Sequence, residues 1–376
     1  MLFRSETARA FLGIKKKRGP AALAVIAGGR CSNEESYLLQ KLARKAMGTN
    51  HVDLGVKPAW AEAAAALEAV TGPGICGPSV ADLQDAGAIF VLGGELAAGN
   101  PVAAMAVEQA CRLGGTVLVQ VGTAERELTA WERLVLAPRQ GAEAELFEAL
   151  AAVLRGQPAA EQIRKAGVDG ATLKRAAQLL GGAKSIILVC PSFFKQKSSK
   201  WIGPLLEAAR AGGQLERGKS NLLLLAEEGN ARGIVETGGA PQYLPGYVSL
   251  DGKAGLDFAR ILTSAEAGEI KGIFASLDGL GGPLPAGLEF LAVQCSSKSA
   301  IPVEADVIFP ALPVRLKEGS FTNSAGRQEH NLSAAGGGIQ PEWQVIASLA
   351  RAMGEPADYG SLQEVQEEIC RVVAGR

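Results

Sequence analysis

Three glycine- and amide-rich stretches carry the side chains best suited to hold a ligand. The first, Gly93-Gly94-Glu95-Leu96-Ala97-Ala98-Gly99-Asn100-Pro101, follows the aliphatic run Ala88–Gly93. Glycines at the carboxyl edge of a strand let backbone N–H groups approach a phosphate, and the helix N-terminus behind them favours its charge. A tight strand-to-helix turn calls for the same Gly, Asn and Pro, so turn geometry alone also accounts for it. The second stretch, Glu227-Glu228-Gly229-Asn230-Ala231-Arg232-Gly233, puts Asn230 and Arg232 where they can hydrogen-bond a heterocycle or phosphate. A loop ordered by its own Asx turn is the alternative. The third, Leu316 to Arg327, interleaves Ser320, Thr322, Asn323 and Arg327 with glycine and is the least generic stretch of the chain. Its plainer reading is a surface loop closed by a Glu318–Arg327 pair, a contact worth little when exposed.

Other chemistries are excluded or weakened by what the sequence contains. It has no G-x-S-x-G elbow, no Walker loop and no H-E-x-x-H pair. The six cysteines stand singly and the histidines are two, His51 and His330, so an iron–sulfur or zinc site made by this chain alone is not expected. Cys76 and Cys190 lack an activating base nearby in sequence and read as buried or loop residues. Lys+Arg (38) nearly balances Asp+Glu (39), which argues against nucleic acid as a partner. No run approaches the roughly 20 apolar residues of a membrane helix, and the first residues show no secretory pattern. The expected setting is cytoplasmic, with any inner-membrane contact made through partners.

The elements that position these loops alternate. Aliphatic runs at Ala22–Ala27, Ala88–Gly93, Thr116–Val121, Ser185–Cys190, Asn221–Ala226, Gly272–Ala275, Phe290–Gln294 and Val307–Phe309 have the continuity of strands covered on both faces. Amphipathic stretches such as Glu34–Met47, Val102–Leu113, Ala171–Leu180 and Trp343–Met353 lie between them. Ser32 and Glu35 form a capping box, and Gly48, Gly114, Gly181 and Gly212 follow helical runs as stops. The pattern predicts an α/β fold of two doubly wound, mostly parallel, Rossmann-like domains. A change of character near Gly212–Ser220 divides them into residues 1–218 and 219–376. Loops as long as Gly229–Gly246 and Pro310–Gly338 read as binding or contact surfaces.

Several stretches resemble the molybdopterin oxidoreductase superfamily. Asn33-Glu34-Glu35-Ser36-Tyr37-Leu38-Leu39-Gln40-Lys41-Leu42-Ala43-Arg44 with Gly48-Thr49-Asn50-His51-Val52-Asp53 is similar to its N-E-E-x-Y-L-x-Q-K-x-x-R…G-T-N-x-V-D signature. Gly99-Asn100-Pro101 resembles the end of its G-x-N-P turn, and Gly229 to Gly233 with Leu244-Pro245-Gly246-Tyr247 resembles its N-x-x-G…P-G-Y segment. Ala305 to Ala311, then Glu318-Gly319-Ser320-Phe321-Thr322-Asn323 and Gly326-Arg327, looks like its A-D-V-V-L-P…E-G-T-F-T-N-x-E-G-R signature. The matches span about residues 20–355, and within the superfamily the chain is most similar to the carboxy-terminal part of the large iron–sulfur subunit of NADH-quinone oxidoreductase.

The resemblance implies two α/β domains and a pterin-dinucleotide cleft touched by Gly93, Gly99, Asn100, Asn230, Arg232, Thr322, Asn323 and Arg327. Departures from the family pattern qualify it. Active relatives begin with a four-cysteine cluster segment that the resemblance would place ahead of these residues, and Asp53 leads through Leu54–Ala59 into a helix without the family's metal-ligating Cys, selenocysteine or Ser. The nucleotide loop D-P-R-x-T is replaced by Gly122-Thr123-Ala124-Glu125-Arg126, P-G-T-D by Arg139-Gln140-Gly141-Ala142-Glu143, and a second G-x-N-P by Ser276-Leu277-Asp278-Gly279. The first expectation is therefore a subunit of an NADH-quinone oxidoreductase-type electron-transfer complex, with a vestigial metal site and no catalytic residue or cofactor of its own. Its partners would carry iron–sulfur clusters and flavin. The alternative is a split catalytic subunit, such as that of a formate dehydrogenase, holding molybdopterin guanine dinucleotide with Mo or W. A third is a carrier or maturation factor for the pterin.

Overall fold

A computed structural model describes residues 2–122, 133–182, 184–196, 198–297, 305–332 and 338–374. The chain forms two compact units: Met1–Pro58 with Glu228–Asn323 and Gln328–Arg376, and Ala59–Glu227 with Ser324–Arg327. It opens in the first unit with α1 (Leu2–Arg18), β1 (Leu23–Ala27), α2 (Asn33–Lys41) and β2 (Val52–Asp53). It then builds the second from α3 (Pro58–Thr71), α4 (Val80–Gln84), β3 (Ala88–Leu92), α5 (Leu96–Gly99), α6 (Pro101–Leu113), β4 (Val117–Val121) and β5 (Arg133–Leu136). That unit continues through α7 (Glu143–Leu154), α8 (Ala160–Ala166), α9 (Gly170–Leu180), β6 (Ser185–Val189), α10 (Ile202–Ala211), the hairpin β7 (Leu215–Glu216) and β8 (Lys219–Ser220), and β9 (Leu222–Leu224). The return to the first unit adds α11 (Ala231–Glu236), the hairpin β10 (Tyr243–Leu244) and β11 (Val248–Ser249), α12 (Phe258–Glu266), β12 (Gly272–Ser276), β13 (Phe290–Cys295) and β14 (Val307–Pro310). The hairpin β15 (Gly319–Thr322) and β16 (Gln328–Asn331) follows, then α13 (Glu342–Ala352) and α14 (Leu362–Ala374).

Each unit holds one five-stranded parallel sheet, as the strand–helix alternation predicts. In the first unit the order is β14-β13-β12-β1-β2, and in the second β5-β4-β3-β6-β9. The central strands are buried along their whole length, which is why they read as unbroken aliphatic runs. Sequence order reverses between β1 and β12 in the first sheet and between β3 and β6 in the second. At such points the flanking loops diverge and leave a crevice beyond the carboxyl ends of the strands.

Packing explains particular residues. In the first unit Phe11 of α1 is fully buried and meets Phe290 edge-on at 5.2 Å between ring centres. Burial of one such ring contributes about 1.5–3 kcal/mol. Gly272 lets α1 sit close, since a Cβ there would stand 2.8 Å from Leu23 and 2.9 Å from Ile14. In the second unit Ile89, Val91, Leu118, Ile186 and Leu188 pack with Ala103, Val107 and Ala110 of α6. The basic run Lys15–Arg18 occupies the last turn of α1, where cations complement the helix dipole.

The expected strands are present. Two further short sheet strands, β2 and β5, and the hairpins β7–β8, β10–β11 and β15–β16, the last inside the expected loop Pro310–Gly338, were not read from the sequence. Residue 218, where composition suggested a boundary, lies inside the second unit between β7 and β8. The units interleave because β1 pairs with β12 from Leu23↔Gly272 to Ala27↔Ser276, so segments far apart in sequence complete one sheet.

Candidate functional site

The reversal between β1 and β12 opens into a cleft of 860 Å³. Gly29 and Arg30 line it after β1, Leu277, Asp278 and Gly279 after β12, and Ser296 and Ser297 after β13. Glu228 to Asn230, Pro313, Val314, Phe321, Asn323 and Glu329 complete the walls. Beside the cleft the loops after β1 and β12 run backbone against backbone: a Cβ on Gly28 would lie 2.1 Å from the backbone of Gly279 and Leu280. Asp278 Oδ1 accepts from the backbone N–H and hydroxyl of Ser296 at 3.1 and 2.9 Å. Its other oxygen, Oδ2, is buried with no hydrogen-bond partner among the described residues. A buried carboxylate oxygen with no donor is costly, so a small turn of this side chain toward an N–H or O–H group in the cleft would be favourable.

A buried polar lock holds the cleft walls. Asn33 Nδ2 donates to Ser320 Oγ at 3.1 Å and Thr322 Oγ1 at 3.0 Å. Glu34, fully buried, accepts from the Ser320 amide at 3.0 Å, its hydroxyl at 2.7 Å and Gln366 Nε2 at 2.8 Å. Asn230 bridges two segments, donating to the Cys31 carbonyl at 2.8 Å and accepting the Thr322 amide at 2.6 Å. Glycine at 233 is required, because a Cβ would stand 1.9 Å from Asn33 Oδ1. The signature residues Asn33 and Glu34 therefore clamp β15, and Asn230 ties the loop before α11 to the same strand.

The residues singled out from sequence divide between the units. Asn230, Thr322 and Asn323 come together in the first. Asn323 lines the cleft and donates to Glu329 at 2.8 Å, whereas the side chains of Asn230 and Thr322 are engaged in the lock. Arg232 is half-buried on α11. Gly93, Gly99, Asn100 and Arg327 belong to the second unit, where Arg327 is exposed. There the β3–β6 reversal is filled by the protein itself: Ser192 Oγ accepts from the Gly94 amide at 2.9 Å and donates to its carbonyl at 2.6 Å. The Gly93 amide goes to the Val121 carbonyl at 2.9 Å. Gly99 and Asn100 form the joint between α5 and α6, with Asn100 Nδ2 donating to the Ala226 carbonyl at 3.2 Å. A second cavity there, 550 Å³, is lined by Gln140, Glu143, Lys200 and Trp201 among others. Thr123–Arg126, where the resemblance places a nucleotide loop, lie outside the described residues.

Sequence reasoning passed over Gly28, Gly29, Arg30, Ser296 and Ser297, and treated Ser276–Gly279 only as a lost motif. Their signal was positional: each follows a central aliphatic run directly. Among the described residues no group of three or more His, Cys, Asp and Glu is placed to hold a metal ion. Asp53 accepts the amides of Gly55 at 2.9 Å and Phe258 at 2.8 Å, and burial outweighs these bonds to push its carboxyl up to about 6. His51 Nδ1 accepts the Leu256 amide at 3.0 Å, burial holding the ring below its ordinary pKa, and His330 stands on the exposed β16. Cys190 is buried, whereas Cys76 is exposed.

The model of the molybdopterin oxidoreductase family matches residues 5–240, more than half of the chain. The chain belongs to that family. Curated molybdopterin oxidoreductase relatives in Bacillus subtilis include the provisionally named formate dehydrogenase YrhE, 26% identical over 411 residues, and the oxidoreductase YjgC, 26% identical over 429 residues. They cover 95% and 96% of this chain, which spans 42% of each of them. The fold is shared with a chain of the formyltransferase/hydrolase complex of Methylorubrum extorquens, at TM-score 0.60, 15% identity and coverage of 92% of this chain and 96% of that one. Acetylene hydratase of Pelobacter acetylenicus gives TM-score 0.59 at 15% identity, covering 93% of this chain and 58% of that one.

The family implies a pterin dinucleotide, and the two units answer that differently. In the first, the unpartnered Asp278 oxygen and the Ser296 and Ser297 hydroxyls along the cleft fit a nucleotide whose base presents N–H donors. In the second, the Gly93–Gly94 turn does not fit a phosphate, because Ser192 already occupies the Gly94 amide and a Cβ on Gly93 would lie 2.8 Å from Ser192 Oγ. No helix among the described residues is long and apolar enough to cross a membrane.

Proposed function

We propose that this chain is the nucleotide-holding part of a molybdenum or tungsten pterin oxidoreductase related to formate dehydrogenases, working with polypeptide that carries the metal ligand and iron–sulfur clusters. The observation that carries this reading is the unpartnered Asp278 oxygen in the cleft at the β1–β12 reversal. Guanine offers an N1–H and an exocyclic amine side by side, the donors a carboxylate accepts. Asp278 would hold that edge, and Arg30 would balance phosphate charge. When bound, a molybdenum or tungsten pterin supplies two-electron redox chemistry. This chain's own residues bind and orient its nucleotide arm.

Isothermal titration of the full chain with GMP and AMP tests the assignment. The expected result is binding of GMP at least tenfold tighter than AMP, and equal or absent binding of both refutes it. A second reading, a scaffold subunit of an NADH-quinone oxidoreductase-type complex with flavin and iron–sulfur partners, is favoured by the Ser192-filled turn of the second unit. Elemental analysis of the native assembly for Mo, W and Fe, with fluorescence of oxidised pterin, separates the two. Molybdenum or tungsten with pterin supports the first reading, and iron alone supports the second.

A further inference from the structure

The first unit buries three ionisable groups in one contact that nucleotide binding does not use. Lys317 Nζ lies 3.1 Å from Glu35 Oε2 and 3.6 Å from Glu342 Oε1, with the three side chains 2%, 5% and 3% exposed. One cation faces two carboxylates, so the fully ionised cluster carries an excess negative charge away from water, which is strongly unfavourable. The other groups nearby do not compensate it. Cys31 is held as a neutral thiol, burial pushing it to about 12. The Glu34 carboxylate is taken up by Ser320 and Gln366, and Asp278, which acts on Cys31 from a distance, is of the same sign.

Each member of the triad anchors a different wall of the cleft. Glu35 closes the capping box on Ser32, just behind Gly29 and Arg30. Glu342 accepts the Leu312 amide, directly before Pro313 and Val314. Lys317 leads into β15, which presents Phe321 and then Asn323. Asn331 of β16 ties the last two walls together, donating to the carbonyls of Val314 at 3.1 Å and Lys317 at 2.8 Å.

We propose that Glu35, Lys317 and Glu342 form a proton-controlled clasp on the cleft, neutral and closed with one proton on its carboxylates and loosened when that proton leaves. Glu35 is where the proton sits: burial first, and Glu342 beside it, raise its carboxyl to about 7 against the pull of Lys317. Burial lowers the Lys317 ammonium, but Glu35 and Glu342 outweigh it and keep that group charged. An opened clasp returns Glu35 to its ordinary 4.5, so between about 4.5 and 7 the closed form binds more protons than the open one. Opening therefore becomes easier as pH rises through this window, by up to about tenfold per pH unit, and levels off above it.

Hydrogen exchange of the full chain at about pH 5.5 and pH 8, corrected for intrinsic rates, reads the clasp over residues 312–323 with β6 of the second unit as reference. Protection over 312–323 is expected to fall at least tenfold at the higher pH, with β6 unchanged. Glu35→Gln keeps an acceptor for the capping box but cannot ionise, and is expected to hold the low-pH protection at both values. An unresponsive wild type, or the same fall in Glu35→Gln, overturns the proposal. If Glu35→Gln does not fold, Glu342→Gln makes the same measurement. Failure of both to fold also overturns it, because the neutral triad is the form held to be stable.

Discussion

Replacing Glu34 by alanine separates a structural from a ligand-contacting role for the family signature. Glu34 is fully buried, and its carboxylate is the acceptor for the amide and hydroxyl of Ser320, a residue 1% exposed. A buried donor stripped of its acceptor costs about 1–3 kcal/mol, so two of them set a loss of about 3–4 kcal/mol once water entering the vacated space is allowed for. Gln366, the third donor, is half-exposed and can turn to water, so Gln366→Ala is expected to cost less than about 1 kcal/mol. Glu34→Gln retains one acceptor and is expected to fall between them. Urea unfolding can be followed at Trp343, buried at the start of α13, by subtracting the signal of a Trp343→Phe chain. A Glu34→Ala loss within about 1 kcal/mol of the Gln366→Ala loss would refute the claim that Asn33 and Glu34 clamp β15.

Four further outcomes are expected. Asp278→Asn is expected to weaken GMP binding at least tenfold by titration calorimetry while leaving thermal unfolding within a few degrees, since Oδ1 alone is used by Ser296. Ser192→Ala removes both contacts to Gly94 and is expected to cost about 1–2 kcal/mol in chemical unfolding of the second unit. Asp53 titrates near 6 in the folded chain against its ordinary 3.8, so its contribution to stability is present at low pH and is lost as pH rises from about 3.8 through 6. Asp53→Asn should flatten that part of the stability–pH curve. Arg44 donates to the carbonyls of Gly238, Ala240 and Tyr243 from one planar fork. Arg44→Lys is expected to lose at least two of these bonds and raise exchange across 238–243 several-fold.

Elements with a strong local signature were legible in the sequence; two-residue hairpin strands such as β7–β8 and β10–β11, and elements held by distant partners, were not. Ser32 and Glu35 announced the start of α2 because a capping box is written in four consecutive residues. β1, β3, β6, β12 and β13 were readable because strands covered on both faces need unbroken aliphatic runs. β2 and β5 are short edge strands: β2 is only Val52-Asp53, and β5, although it reads Arg-Leu-Val-Leu, is only partly buried. The Gly319–Thr322 strand escaped because its inward side chains are polar and are satisfied by Asn33 and Glu34, nearly three hundred residues earlier in the chain. The same separation hid the role of Asn230, whose amide looks from sequence like a ligand contact and in the fold joins Cys31 to Thr322. Asp278 was visible only as a mismatch to a motif, since its buried, unpartnered oxygen exists in three dimensions alone.

The pairing of β1 with β12 also orders events at the ribosome. Leu23 waits for Gly272, about 250 residues later, which at about 5–20 residues per second is roughly 12–50 s of synthesis. Throughout that interval Leu-Ala-Val-Ile-Ala is an apolar segment without its neighbour, the kind of stretch that chaperones shield and that associates wrongly when unshielded. Residues 59–227, nearly the whole of the other unit, emerge meanwhile as one continuous stretch and can fold first. The nascent chain thus carries a nearly finished domain in its middle and an unfinished one at both ends, so termination between Glu227 and β12 yields a folded centre with a sticky leader.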